Sequence, residues 1–253
     1  MTIILCISCF KIKEVYVINL ERRPERLATV SHQLDKLKLS FTRYNAVDGE
    51  KFKTLGIPEF NSCFKLHPET AADLNKCREY CQKNNSWGMF GCWQSHLQVY
   101  FKIRNSGKDR EDGPFLILED DVHLDMDLLA ALERLVSKLP PDWDIFYLGS
   151  SALLGGKFID DELYHPEQCY SMHAYLIRNS HVAEKLIEEA NIETPQTSDS
   201  ILSMASQQGR IKLFVTYPRE YAVQLRGKFP TDILTSEAYT EKKLQNPIPL
   251  SDC

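Results

Sequence analysis

Hydrophobic positions along this chain alternate between strand-like runs and helix-like stripes. The first run, Glu14 to Leu20 (EVYVINL), is largely apolar and stops at the polar Glu21-Arg22-Arg23-Pro24. Pro24 suits the first turn of a helix, where its missing N–H leaves no bond unmade. Leu27, Val30, Leu34 and Leu37 then recur as an amphipathic stripe. Phe41 to Ala46 reads as the next strand, closed by an Asp48-Gly49 turn. Strand, helix and strand in that order predict a parallel β-α-β unit. Residues 50–90 carry only a weak helical pattern near Ala71 to Cys81, ended by the polar stretch 82–86. From Trp87 the signal returns, with Phe90, Trp93, Leu97, Tyr100 and Phe101 on one helical face.

After a charged turn from Asn105 to Gly113, Phe115 to Leu118 is wholly apolar, as suits a strand buried on both faces. It runs directly into Glu119, Asp120 and Asp121. A helix is predicted from Leu128 to Leu139, stopped by Pro140-Pro141, and a buried strand from Asp144 to Leu148. Gly149-Ser150-Ser151 and a Gly155-Gly156 loop follow, then a strand at Tyr175 to Ile177 and helices at His181 to Ala190 and Ile201 to Ser206. Ile211 to Val215 is a late strand, and Pro218, Pro230, Pro247 and Pro249 punctuate an irregular tail. The expectation is one α/β domain over residues 1–253, with 50–90 as an insertion or loop region and 233–253 as the tail.

Composition narrows the partners. The chain has 253 residues, 43% hydrophobic and 26% charged, with a net charge of −5. That balance argues against a nucleic-acid surface, which needs a basic excess. No segment approaches the roughly 18–20 apolar residues of a membrane span. Met1 to Phe10 is apolar but has no basic residue before it, so it reads as part of the first strand region rather than a signal, and a cytoplasmic location is expected. Reduced thiols are then the default for the eight cysteines. Cys6-x-x-Cys9 lacks the second pair that a zinc site of that type needs, whereas a disulfide among Cys63, Cys77 and Cys81 stays open.

Three adjacent carboxylates at the end of a buried strand repel one another unless a cation neutralises them. Ligands of open α/β sheets bind at that carboxyl end. A hard divalent ion held by one or two carboxylates and by substrate phosphates fits. The rival reading is a solvated loop capping the helix at Leu128.

Five segments in order resemble glycosyltransferase family 25: Val17 to Arg26 (VINLERRPER), Ala46-Val47-Asp48-Gly49, Gly91 to Leu97 (GCWQSHL), Leu116 to Val122 (LILEDDV) and Asp142 to Gly149 (DWDIFYLG). Weaker echoes lie at Ala174 to Ile177, around Asp199, and at Gln224 and Asp232. The family includes bacterial lipooligosaccharide and collagen hydroxylysine galactosyltransferases. The resemblance implies a GT-A type fold with a Rossmann-like, mostly parallel central sheet. It also implies an inverting transferase that uses Mn²⁺ or Mg²⁺ and a UDP-sugar, most often UDP-galactose. The acceptor would be a glycan, glycolipid or glycoprotein hydroxyl. Residues 50–90 match no block of the family, which leaves the acceptor open.

On that basis Asp121 is the expected metal ligand, with Glu119 on the metal or the ribose. Asp120 is either part of the donor site or turned away as a structural acid, since neighbouring strand residues face opposite sides. Asn19, Arg22 and Arg26 are expected to meet the nucleotide, Arg through bidentate phosphate contacts; a solvated helix face is the plainer account of the arginines. Asp48 is a ribose or uracil ligand or a turn residue. Ser95 and His96 are expected to begin a helix whose amides face the diphosphate, or else to be a cap and a satisfied core histidine. Asp199 is the candidate general base, against a role as helix cap. Gln224 is a weaker donor-binding candidate. His173 stands as a further metal ligand or a loop residue without a role. Trp87, Trp93 and Tyr175 stack on sugar or pack the core. A catalytically silent binding or adhesion module on the same fold is the competing class, and a metal phosphohydrolase ranks last.

Overall fold

The two apolar runs of the sequence become neighbouring strands. In the computed structural model, which describes residues 10–54, 74–106, 113–170, 172–190 and 198–225, β1 (Glu14–Asn19) leads into α1 (Pro24–Lys36), which returns the chain to β2 (Thr42–Asn45). A 3₁₀ turn (Gly49–Phe52), α2 (Leu74–Asn84) and α3 (Trp87–Ser106) precede the apolar strand β3 (Phe115–Glu119). The chain continues through β4 (Val122–Leu124), α4 (Leu128–Val136), β5 (Ile145–Tyr147), β6 (Ala152–Phe158), β7 (Leu163–Tyr170) and β8 (Ala174–Ile177). It closes with α5 (Ser180–Ala190), α6 (Ser198–Gln207), β9 (Leu213–Thr216) and β10 (Ala222–Gln224).

Eight strands form one sheet in the order β2-β1-β3-β8-β5-β9-β7-β6, and β10 pairs with β4 in a two-stranded ribbon. The β1–β2, β1–β3 and β5–β9 pairs are parallel, whereas β8 and β7 run against their neighbours. Six of the eight strands therefore share one direction, and the sheet is mostly parallel in that sense. Helices cover both faces. Phe115 and Ile117 point into a core with α3, α5 and α6, while Leu116 and Leu118 point into one with α1 and α4. The period of two along a strand makes this division, and it persists into the acidic residues.

Two expectations change. Gly155 and Gly156, read as a loop, lie within β6, with φ of 55° and 116° that a side chain would resist. The β6–β7 hairpin escaped the pattern because β6 is mostly exposed and β7 carries Pro166 among polar residues. Ser95 and His96 do not begin a helix: α3 starts at Trp87, so both lie well inside it and their amides serve its own bonds. The weak helix expected over 71–81 is α2, Leu74–Asn84, followed by Asn85 at φ 48°. Residues 1–9 and the tail from 226 on, with Asp232, lie outside the described residues, as do Cys6, Cys9 and Cys63. Among the described helices none is long and apolar enough to cross a membrane.

One side chain fastens the turn after β3. Gln33 on α1 donates to the Val122 carbonyl (3.0 Å) and accepts from the Leu124 amide (2.7 Å). Replacing Gln33 with Leu leaves both backbone groups unmet, and urea unfolding is expected to show a loss of about 2 kcal/mol.

Candidate functional site

At the end of β3 the strand's alternation distributes the acids between layers. Glu119 follows Phe115 and Ile117 toward α3. Its Oε1 lies 3.1 Å from His96 Nε2 and accepts from Cys92 Sγ at 3.5 Å. His96 is 1% exposed, and its Nδ1 is 2.8 Å from the Tyr175 hydroxyl, which is 3.0 Å from that of Tyr100. Burial alone would push the Glu119 carboxyl up, but the hydrogen bond and charge of His96, with His173 and Cys92, hold it below its ordinary value.

Asp120 turns the other way, toward α1. Asn19 Nδ2 donates to it at 2.7 Å and Arg26 at 3.3 Å. Asn19 also donates to the Arg23 carbonyl and accepts from Arg43 Nε, both at 2.9 Å, so its amide is engaged on both ends. Arg26 is 5% exposed, which replaces the solvated helix face with a buried ion pair. Burial still raises the Asp120 pKa, against the opposing pull of Asn19 and Arg26. Removing one partner of a buried pair strands the other charge. Arg26→Ala is therefore expected to cost roughly 3 kcal/mol in urea unfolding. A second substitution, Asp120→Asn, should recover part of that loss in a double-mutant cycle.

Asp121 begins the turn into β4. Its backbone carbonyl accepts from the Leu225 amide (2.7 Å), and Gln224 Nε2 donates weakly to Oδ2 at 3.3 Å. The β4–β10 ribbon, with Gln224 opposite Val122, supplies both contacts. The other oxygen, Oδ1, is buried without a hydrogen-bond partner among the described residues. Burial, together with the charges of Glu119 and Asp120, raises the Asp121 carboxyl to about 7. A buried carboxylate oxygen with no donor and two acidic neighbours is an arrangement that a cation completes. The residues present fit a hard divalent ion.

The opposite wall comes from the Ala46-Val47-Asp48-Gly49 segment and α3. Ser95 Oγ accepts from the Val47 amide (2.9 Å) and donates to the Gly91 carbonyl (2.6 Å). Gly49 and Gly91 let the two backbones touch. A Cβ on Gly49 would sit 1.7 Å from the Trp87 carbonyl oxygen, and one on Gly91 would sit 2.5 Å from that of Val47. Arg22 Nε donates to Asp48 at 2.9 Å at the cleft mouth. The cleft encloses about 640 Å³ of space, open solvent included. Arg22, Arg26, Asp48, Ser95, His96, all three acids and Gln224 line it, so the structure gathers these expected residues.

Other expected residues lie apart. Asp199 is in the first turn of α6, where its Oδ1 accepts from the Ser200 amide at 2.9 Å. It is not among the residues lining the cleft, although its charge reaches Cys92. Asn19 sits behind Asp120. His173 Nε2 donates to the Ala222 carbonyl at 3.0 Å. Trp87 and Tyr175 are core residues, Trp87 edge-on to Phe90. Sequence reasoning passed over Cys92; its spacing of four from His96 on a helix was the available signal.

An α/β sheet with acids clustered at the carboxyl end of a central strand, inside a cleft, defines a class of sites for anionic ligands carried with cations. The chain belongs to glycosyltransferase family 25, whose model, described as "LPS biosynthesis protein", matches residues 12–201. A "Glycosyltransferase 25 family member" of Aedes aegypti is 28% identical over 201 residues, covering 72% of this chain and 29% of the relative. "Probable inactive glycosyltransferase 25 family member 3" of Rattus norvegicus is 30% identical over 54% of this chain and 22% of the relative. "Procollagen galactosyltransferase 2" of Mus musculus is 27% identical over 54% of this chain and 20% of its own length. The chain thus spans less than a third of these relatives.

Proposed function

We propose that this chain is an inverting glycosyltransferase that moves galactose from UDP-galactose to a hydroxyl of a glycan, glycolipid or glycoprotein, with Mn²⁺ or Mg²⁺ at Asp121. The observation that carries this reading is the buried Asp121 carboxylate, with one oxygen lacking a donor among the described residues, lining a cleft in a chain of this family. Asp121 and Glu119 would hold the ion, which when bound supplies positive charge against the developing charge of a leaving diphosphate.

The chain's own residues then take distinct tasks. Asp120, fixed by Asn19 and Arg26, anchors the turn that presents Asp121. Asn19 and Arg26 thereby act through Asp120, although Arg26 also contributes positive charge to the cleft wall. Gln224 steadies one Asp121 oxygen and leaves the other for the ion. Arg22 is exposed enough at the mouth to leave Asp48 and pair with phosphate, which frees Asp48 for a ribose hydroxyl. Ser95 holds the Val47 segment against α3 and so sets the cleft's width. His96 orients Glu119. The acceptor hydroxyl's proton needs a base as the oxygen attacks the sugar, and the role falls to Asp199, which lies outside the cleft's lining but near enough for its charge to reach Cys92.

A donor screen tests this: nucleotide release from each UDP- and GDP-sugar, with Mn²⁺ and with excess chelator. Release from UDP-galactose above the other donors, lost on chelation, is the expected result; chelator-resistant release would count against the metal role. The silent-module reading draws support from relatives named inactive. Calorimetry showing UDP and Mn²⁺ binding, with no hydrolysis or transfer from any donor, would favour it.

A further inference from the structure

Helix α3 and strand β3 bring three unlike donor atoms together on the cleft wall. Cys92 Sγ, His96 Nε2 and Glu119 Oε1 all lie within 4.8 Å of one another. The separations from Glu119 are 3.5 Å to the sulfur and 3.1 Å to the nitrogen. Ligand atoms around a tetrahedral ion with bonds of ~2.0–2.3 Å stand roughly 3.3–3.7 Å apart, so the two Glu119 separations fit after shifts of a few tenths of an ångström and the Cys92–His96 separation after roughly 1 Å or less. Cys92 and His96, four residues apart, share one helix face. We infer that Cys92, His96 and Glu119 form a binding site for a borderline divalent ion of the zinc class, distinct from the oxygen-only position at Asp121.

Two further features point to an ion. The first is the hydrogen bond behind the histidine. Metal-ligating imidazoles keep their second nitrogen fixed by an outer partner, and His96 Nδ1 meets the Tyr175 hydroxyl at 2.8 Å. A tyrosine hydroxyl both donates and accepts. It therefore serves the tautomer with a proton on Nε2, facing Glu119, and equally the one with a proton on Nδ1, whose Nε2 lone pair is free for an ion. The second is access: all three donors line the cleft, which leaves a fourth position for water or a ligand.

The donor set also selects the ion. Sulfur, imidazole nitrogen and one carboxylate oxygen suit zinc or cobalt, whereas magnesium and manganese favour oxygen. Binding breaks the Cys92 S–H bond and forms a sulfur–metal bond, and the thiol proton passes to buffer. The histidine binds through the Nε2 lone pair with its other nitrogen held on Tyr175, and the carboxylate binds ionised. Because Glu119 serves both positions, zinc held here withdraws it from an ion at Asp121. This inference goes beyond the transferase reading and stands or falls separately from it.

Cobalt(II) is the probe, added to the full reduced chain while thiolate-to-cobalt charge-transfer absorption is recorded. Wild type is expected to show the band at one ion per chain. Cys92→Ser should lose the band and weaken binding by at least ~100-fold, above the ~10–100-fold typical of an outer partner. His96→Gln should weaken it comparably, and Tyr175→Phe by ~10-fold. Asp121→Asn should retain the band with affinity within about threefold. Circular dichroism checks the fold of each variant, and His96→Gln carries the test should Cys92→Ser not fold. No band in wild type overturns the site. So does a band that survives in Cys92→Ser, which would place cobalt on other cysteines, or one that vanishes in Asp121→Asn. None of these outcomes bears on donor turnover, which the Asp121 variant reports.

Discussion

Asp121→Asn is expected to lower donor turnover by at least about 100-fold while making the metal-free protein more stable near pH 8. On the proposed transferase reading, the first effect follows from losing a charged ligand where a leaving diphosphate would need compensation. The second follows from the same burial. The folded-state pKa of Asp121, about 7, lies above its ordinary 3.8 because of desolvation and the charges of Glu119 and Asp120, opposed by Arg26 and Gln224. A raised carboxyl pKa means that the folded chain holds the proton more tightly. Its contribution to stability is full below about pH 3.8 and is lost as pH rises through about 7. Three pH units correspond to roughly 4 kcal/mol at ~1.4 kcal/mol each, and the asparagine amide gives back about half through its own unmet bonds. Urea unfolding should thus show the variant gaining on wild type from pH 4 to pH 8, by about 2 kcal/mol at the upper end. Mn²⁺ should rescue wild type and leave the variant unmoved. Turnover within threefold of wild type would remove Asp121 from the chemistry. A pH-independent difference would show that its carboxylate is not buried unpaired.

Gly49→Ala should be among the most damaging single-methyl changes in the chain. The added carbon would meet the Trp87 carbonyl oxygen at 1.7 Å and the Gly91 amide nitrogen at 3.1 Å. Both are backbone atoms, so no side chain can swing aside; the 3₁₀ turn and the start of α3 must separate. Overpacking normally costs about 1–3 kcal/mol, and a backbone collision belongs in the tail at 4 kcal/mol or more. Separation would also break the Val47–Ser95 bond and widen the cleft. Thermal unfolding should fall sharply, and UDP affinity measured below the new midpoint should drop about tenfold or more. Wild-type stability in this variant would refute the close packing. Gly209→Ala is the control: at φ 71° its backbone is strained but nothing lies within 4 Å, so a smaller loss of about 1 kcal/mol is expected.

Much of this architecture was legible in the sequence because its signals were local and periodic. The β1–α1–β2 unit, β3 and α4 each carry an uninterrupted pattern of one period, and each appears where that pattern places it. The β6–β7 hairpin did not announce itself, since a strand exposed along most of its length and carrying two glycines resembles a loop. The reversal of β8 between β3 and β5 is a property of pairing, which no single segment encodes. At the site, residue types were readable but partners were not. Asn19 and Arg26 looked like ligand-binding groups at a strand end, and only the fold brings Asp120 within reach of both. Gly49 and Gly91, far apart in the chain, proved to be one contact seen from its two sides.

The alternation along β3 has a consequence for evolution of this site. Glu119 answers to histidine and Asp120 to arginine only because an odd and an even position face different layers. Slipping that strand by one place against β1 and β8 would set Leu118 at the histidine and Glu119 at the arginine in one direction, or Asp120 at the histidine and Asp121 at the arginine in the other. Variants should therefore accept changes of side chain here far more readily than any insertion or deletion between Phe115 and Asp121.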